Sequence, residues 1–247
     1  MREKQHAGRN DIMKKIFEED LEDDLRPEYD FSKMRVVARG PGRQNQPLSR
    51  LKINRKTGCE HFRVGGLDTP LTLLDFWQWS SSDLVDNTMR GVLAEYIVAS
   101  DLGLTQRTRV GWDAFDLETP SGVKVEVKSA AYLQSWFQKK HSNVCFNIRP
   151  TRKYDADTNE LASDVRRQAD VYVFCLLAEK DKSKLDPLDL DQWIFYIVLT
   201  SAINKAFPTQ KSIGLAALEK LNPCVAKYGQ IKICIESLVL SGQLTSA

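Results

Sequence analysis

The chain has 247 residues, room for one substantial domain with an appendage or for two small ones. Its 42% hydrophobic content suits a packed core and excludes a disordered protein. With 35 Lys+Arg against 33 Asp+Glu, the formal net charge is +2. There is no global polycation, so any contact with nucleic acid must come from a local patch.

Residues 10–25 carry Ile12, Met13, Ile16, Phe17 and Leu21 at helical spacing, with Asn10 or Asp11 as a cap and Pro27 as a stop. The other face of this helix is acidic: Glu18, Glu19, Asp20, Glu22, Asp23 and Asp24. Such a face is either simply solvated or docks on a protein partner or a basic groove. Residues 36–46 are basic and rich in Gly and Pro, the chemistry of a linker. The first residues are charged and no apolar run follows, so no signal peptide is expected, and no stretch reaches membrane-spanning length. The five cysteines (Cys59, Cys145, Cys175, Cys224, Cys234) form no Cys-x-x-Cys pair and are read as reduced thiols of a cytoplasmic protein. Cys175, inside the apolar run Val171–Leu177, is read as a small hydrophobe.

A compact domain is predicted from Leu67 onward, leaving 1–66 as an N-terminal region. A helix from Ser82 or Asp83 to Ser100 follows, closed by Gly103, with Glu95 amid its apolar residues. Two strands come next, joined by the turn Thr119-Pro120-Ser121-Gly122. The segment 143–149 reads as a strand, 160–167 as a short helix, and the apolar runs 169–177 and 193–199 as strands buried on both faces. Residues 212–221 read as a helix, and 231–240 as strand or helix. The order implies an α/β fold with a central mixed β-sheet flanked by helices.

In the strand at 123–128, Val123, Val125 and Val127 alternate with Lys124, Glu126 and Lys128. A period of two puts valines on one face and charges on the other, with Asp116 coming near them if the two strands pair. Two carboxylates and an ammonium at one sheet end can hold a hard divalent cation and position a water. Any half-exposed antiparallel hairpin shows the same alternation, so the pattern alone leaves a merely solvated face open.

Together, Glu95 on a helix, Asp116 on the next strand and Glu126-Val127-Lys128 on the strand after it resemble the PD-(D/E)xK, or restriction-endonuclease-like, nuclease superfamily. The likeness spans roughly residues 67–200 and makes 67–247 the nuclease domain, although Phe115 stands where the motif's proline would be. The resemblance implies a metal-dependent nuclease acting on DNA in restriction or anti-phage defence. It assigns Asp116, Glu126, the Val127 carbonyl and Glu95 to Mg²⁺, with Mn²⁺ as a substitute, and Lys128 to the attacking water. Asp113 is the alternative first carboxylate. Gln134 and Trp136, directly after the motif, are candidates for substrate contact or for packing and capping. Lys139, Lys140, Arg149, Arg152, Lys153, Arg166 and Arg167 are candidates for phosphate contacts. His141 reads as incidental. A homodimer is the natural arrangement for cutting both strands of a duplex. The rival reading is a non-catalytic nucleic-acid- or partner-binding protein on a nuclease-like fold. It rests on the acidic helix and on a short likeness of residues 25–33 to antitoxin-like proteins.

Overall fold

The computed structural model describes residues 51, 53–109, 114–155 and 160–244. The sequence expectations for residues 10–25, 25–33 and 36–46, and that for Asp113, lie outside the described residues. The first elements are β1 (His61–Val64) and β2 (Leu67–Thr72), an antiparallel hairpin turned at Gly65 and Gly66. Both glycines have positive φ, 60° and 82°, as a two-residue hairpin loop of this kind requires. Thr72 then caps α1 (Leu73–Ser81) in a capping box with Asp75. None of α1's residues is buried, although Leu74, Phe76, Trp77 and Trp79 are large and apolar.

Helix α2 (Asn87–Asp101) starts later than expected because Asp86, not Asp83, accepts the N–H groups of Thr88 and Met89. Asp83 is used one turn earlier, on the N–H groups of Val85 and Asp86. Gly103, at φ 72°, ends the helix and lets Leu104 N–H reach the Ala99 carbonyl.

Strands β3 (Leu117–Glu118) and β4 (Lys124–Ala131) form the expected hairpin. A long connection then contains β5 (Cys145–Asn147), β6 (Thr151–Asp155) and β7 (Glu160–Arg166). It leads to β8 (Val171–Leu177), β9 (Trp193–Leu199) and α3 (Thr200–Ala206). The chain ends with β10 (Ser212–Gly214), α4 (Leu215–Glu219), β11 (Cys224–Ala226) and α5 (Ile231–Leu244). Five strands make the central sheet in the order β11-β9-β8-β4-β3; β4 and β8 run parallel and the other neighbours antiparallel.

Both faces of the sheet are covered. On one, Val125, Val127, Val171, Val173, Trp193 and Phe195 pack with Ala94, Ile97 and Val98 of α2 and with Ile231 and Ile235 of α5. On the other, Tyr172, Phe174, Leu176 and Val198 meet Phe146 and Ile148, Ile203 of α3, Ile213 of β10 and Leu218 of α4. Every residue of β8 is buried, which is why its sequence is an unbroken apolar run. Each such large side chain contributes about 1.5–3 kcal/mol by leaving water. This is the expected mixed α/β architecture, with Cys175 in its core.

Three local expectations change and one open alternative is resolved. Residues 160–166 are a strand, not a short helix, because they pair with β6 through Thr151↔Arg166 and Arg152↔Val165. Residues 212–214 pair with β5, so the helix expected over 212–221 shrinks to α4. The ambiguous segment from Ile231 is helical, with Ile231 and Ile235 one turn apart on the buried side. Cys224 and Cys234 are joined as a disulfide rather than reduced, since α5 packs on β11 and brings their Cα atoms to 6.1 Å. Cys59, Cys145 and Cys175 are free.

Candidate active site

The site is built on β4. Val125 and Val127 are fixed in the core at 0% and 4% exposure, which turns Glu126 and Lys128 to the opposite face. The turn before them is closed by Gly122, at φ 83°, whose N–H donates to the Thr119 carbonyl at 2.9 Å. In the hairpin Leu117 lies opposite Val125 and Glu118 opposite Lys124, so the next step brings Asp116 toward Glu126. There the Asp116 N–H donates to the Val125 carbonyl at 3.1 Å. The Asp116 carboxylate accepts the Val127 N–H at 2.7 Å. The Lys128 ammonium stands 2.6 Å from Glu126 Oε1 and 3.8 Å from Asp116 Oδ2. A strand residue's N–H and C=O point to the same neighbour. The Val127 carbonyl therefore lies on the Asp116 side, where the two-residue β3 has already ended.

Burial and like charge set the electrostatics. Desolvation, and then the neighbouring Glu126 carboxylate, push Asp116 from 3.8 up to about 6, against the pull of Lys128 and the Val127 N–H. Burial pulls Lys128 down, but the charges of Glu126 and Asp116 outweigh it and hold its pKa above the ordinary lysine value. Glu95, on α2, has a side chain only 15% exposed and adds to the negative field on Asp116. Its carboxylate is gripped by Arg109, with Nη2 donating to Oε1 at 2.9 Å and Nε to Oε2. The hydrogen bond to Glu95 leads in raising the Arg109 pKa, and the charges of Glu95 and Asp116 add to it. The cluster thus holds three carboxylates against two cations, an arrangement with capacity for more positive charge. Sequence reasoning missed Arg109, since nothing in its own neighbourhood marks it as the partner of a residue on α2.

A cleft of ≈ 640 Å³ opens on Glu126 and Lys128. Arg149 and Arg152 line it, together with Tyr172 from β8 and Leu161 and Val165 from β7. Lys139, Lys140 and Lys153 are exposed but are not in its lining, and Arg166 pairs with Asp164 at 2.9 Å. The structure does not bring Gln134 into the cleft. It is 6% exposed, its Oε1 accepting from Arg90 at 3.1 Å and its Nε2 donating to Ser142 Oγ at 3.2 Å. Trp136 is half-exposed, its carbonyl accepting from Lys182 at 2.8 Å. His141 Nε2 lies 3.1 Å from the Lys180 carbonyl, remote in role from the cluster. Arg167 is buried at 6% exposure and donates to the carbonyls of Ile148, Phe207 and Gln210 and to Asn204. Its task is to tie chain segments together.

The donor chemistry suits a hard divalent ion. The Asp116 and Glu126 carboxylates both stand within 4 Å of the Lys128 ammonium, so hard oxygen donors are close together, and Mg²⁺ commonly takes few protein ligands and keeps several waters. Among the described residues, no group of three or more His, Cys, Asp and Glu side chains converges as a ready-made metal cage.

Carboxylates set around a lysine that lines an arginine-bearing cleft, on a two-sided α/β sheet, are the equipment of a phosphoester hydrolase. The family model for bacteriophage T4 endonuclease IV matches residues 51–216, which hold all of these groups, and the chain belongs to that family. It is a nuclease. No curated protein and no solved structure matches the chain. Among the described residues no helix is long and apolar enough to cross a membrane.

Proposed function

We propose that the chain is a metal-dependent nuclease of the PD-(D/E)xK superfamily that hydrolyses phosphodiester bonds in DNA. The observation that carries this reading is the position of the Lys128 ammonium, between Glu126 and Asp116 and in the lining of the cleft. Family membership supports DNA as the substrate.

In this reading Asp116, Glu126 and the Val127 carbonyl hold Mg²⁺, and Glu95 is a further ligand, direct or through water. When bound, the ion supplies Lewis-acid polarisation of the phosphate and a more acidic water. Lys128 orients the attacking water and offers positive charge to the phosphate oxygens. Arg149 and Arg152 hold the strand in the cleft through its phosphates. The buried Val127 N–H fixes the Asp116 carboxylate, so the reacting groups need little rearrangement. By analogy of fold alone, we place the activity in restriction or anti-phage defence.

The test is cleavage of plasmid and single-stranded DNA with Mg²⁺, Mn²⁺ or EDTA, wild type beside Lys128→Ala. We expect metal-dependent cutting that the variant loses by at least about a hundredfold, the scale of a lost general acid–base group. Cutting in EDTA, or full activity in Lys128→Ala, would refute the assignment.

A further inference from the structure

Among the described residues, strands β6 and β7 pair with each other and with no other strand. Every residue of β7 except Ala162 is exposed, including Leu161 at 63% and Val165 at 58%. A lone two-stranded ribbon is marginal in water, and exposed aliphatic groups on it bring no folding energy. Their direction gives them a purpose. Both line the cleft that opens on Glu126 and Lys128. Val165 lies opposite Arg152, and Leu161 opposite Tyr154. Opposed residues share a face, so this face combines arginine with aromatic and aliphatic groups. The acids Glu160 and Asp164 alternate onto the other face, where Asp164 pairs with Arg166.

An apolar surface flanked by arginines, with its acids turned away, complements a nucleic-acid strand, whose sugars and bases are apolar on their faces and whose phosphates are charged. We propose that the β6–β7 hairpin is the arm that seats the DNA strand over Lys128, with Leu161 and Val165 packing on a sugar or base beside the scissile phosphate. Arg149 and Arg152 take the phosphates on either side. The proposal rests on the nuclease reading above and adds to it the surface that grips the strand.

The test measures binding of short fluorescein-labelled DNA, single-stranded and duplex, to the full chain in EDTA across a salt series. Each protein is also assayed for cutting with Mg²⁺. Leu161→Ser with Val165→Ser should raise Kd by about tenfold or more, the scale of a base lost from an apolar platform. The dependence on salt should stay as in wild type, because no phosphate contact is removed. Arg152→Ala should instead lower the slope of log K against log salt by about 0.7 for single strands and about 0.9 for duplex. Leu161→Met with Val165→Ile should bind as wild type. The proposal is overturned if the serine variant binds within about twofold of wild type, if it loses salt dependence as Arg152→Ala does, or if the Met/Ile variant binds no better than the serine one. Wild type that neither binds nor cuts DNA would sink the nuclease reading itself. Wild type that binds and cuts beside an unimpaired serine variant would sink the arm alone.

Discussion

Asp116→Asn should destroy the nuclease and yet make the ion-free protein more stable. The Asp116 carboxylate titrates at about 6 in the fold against 3.8 ordinarily, because burial and the adjacent Glu126 oppose its charge. That distance, at about 1.4 kcal/mol per pH unit, amounts to about 3 kcal/mol. The sign follows from the folded state holding this proton more tightly than the unfolded chain does. The group's contribution to stability is intact below about pH 4, falls as pH rises toward 6, and is fully lost above about pH 7. Asparagine keeps the shape and can still accept the Val127 N–H, but carries no charge to desolvate. Denaturation in EDTA should therefore show the variant about 1–3 kcal/mol more stable at pH 8, each kcal/mol raising Tm by about 2–4 °C in a chain of this size. At pH 4 the two proteins should coincide. Mg²⁺ at pH 8 should then raise the wild type alone, by preferential binding to the folded state. A variant no more stable than wild type at pH 8, or equally favoured at pH 4, would refute the reasoning.

Removing Arg109 and removing the charge of Glu95 should act in opposite directions. Glu95 raises the pKa of Asp116, and Arg109 attracts its carboxylate, so Arg109→Ala should move the acidic limb of the pH–activity profile upward and Glu95→Gln downward. Shifts of the same sign in both would refute that electrostatic picture. Arg167→Ala should cost about 3–4 kcal/mol in urea denaturation, since it strands three carbonyls and Asn204 around a buried gap. A loss under about 0.5 kcal/mol, the level of an ordinary surface substitution, would show that water replaces it freely.

The parts of this molecule that were legible in its sequence are those governed by local periodicity. The alternation at Val123–Lys128 located Glu126 and Lys128 on one face, and the turn at Thr119–Gly122 returned Asp116 toward them. The apolar run Trp193–Leu199 is a strand with those same bounds, because a buried strand needs no polar positions. Residues 160–166 misled because Glu, Leu and Ala favour helix. The ladder with β6 overrode that preference, and local propensity cannot report it. Contacts between distant segments were invisible for the same reason. Arg109 on Glu95, Arg90 on Gln134 and Cys224 on Cys234 each depend on where the sheet places its neighbours. Gln134 and Arg167 carried the residue types of a binding surface, and the structure spends both on internal hydrogen bonds.

The parallel pairing of β4 with β8 obliges the chain to travel from one end of the sheet back to the other before it can continue. Here that return journey contains the β6–β7 arm, and the Arg167 Nε donating to the Ile148 carbonyl at 2.8 Å clasps the arm's two ends together. The described residues of the arm, 149–155 and 160–166, are thereby fastened at their base, on a segment of chain separate from the strand that carries Glu126 and Lys128. An arm held in this way can change in length or composition while the reacting groups keep their places on β4. Preference for one DNA target over another can then evolve on a different part of the gene from the chemistry that cuts it.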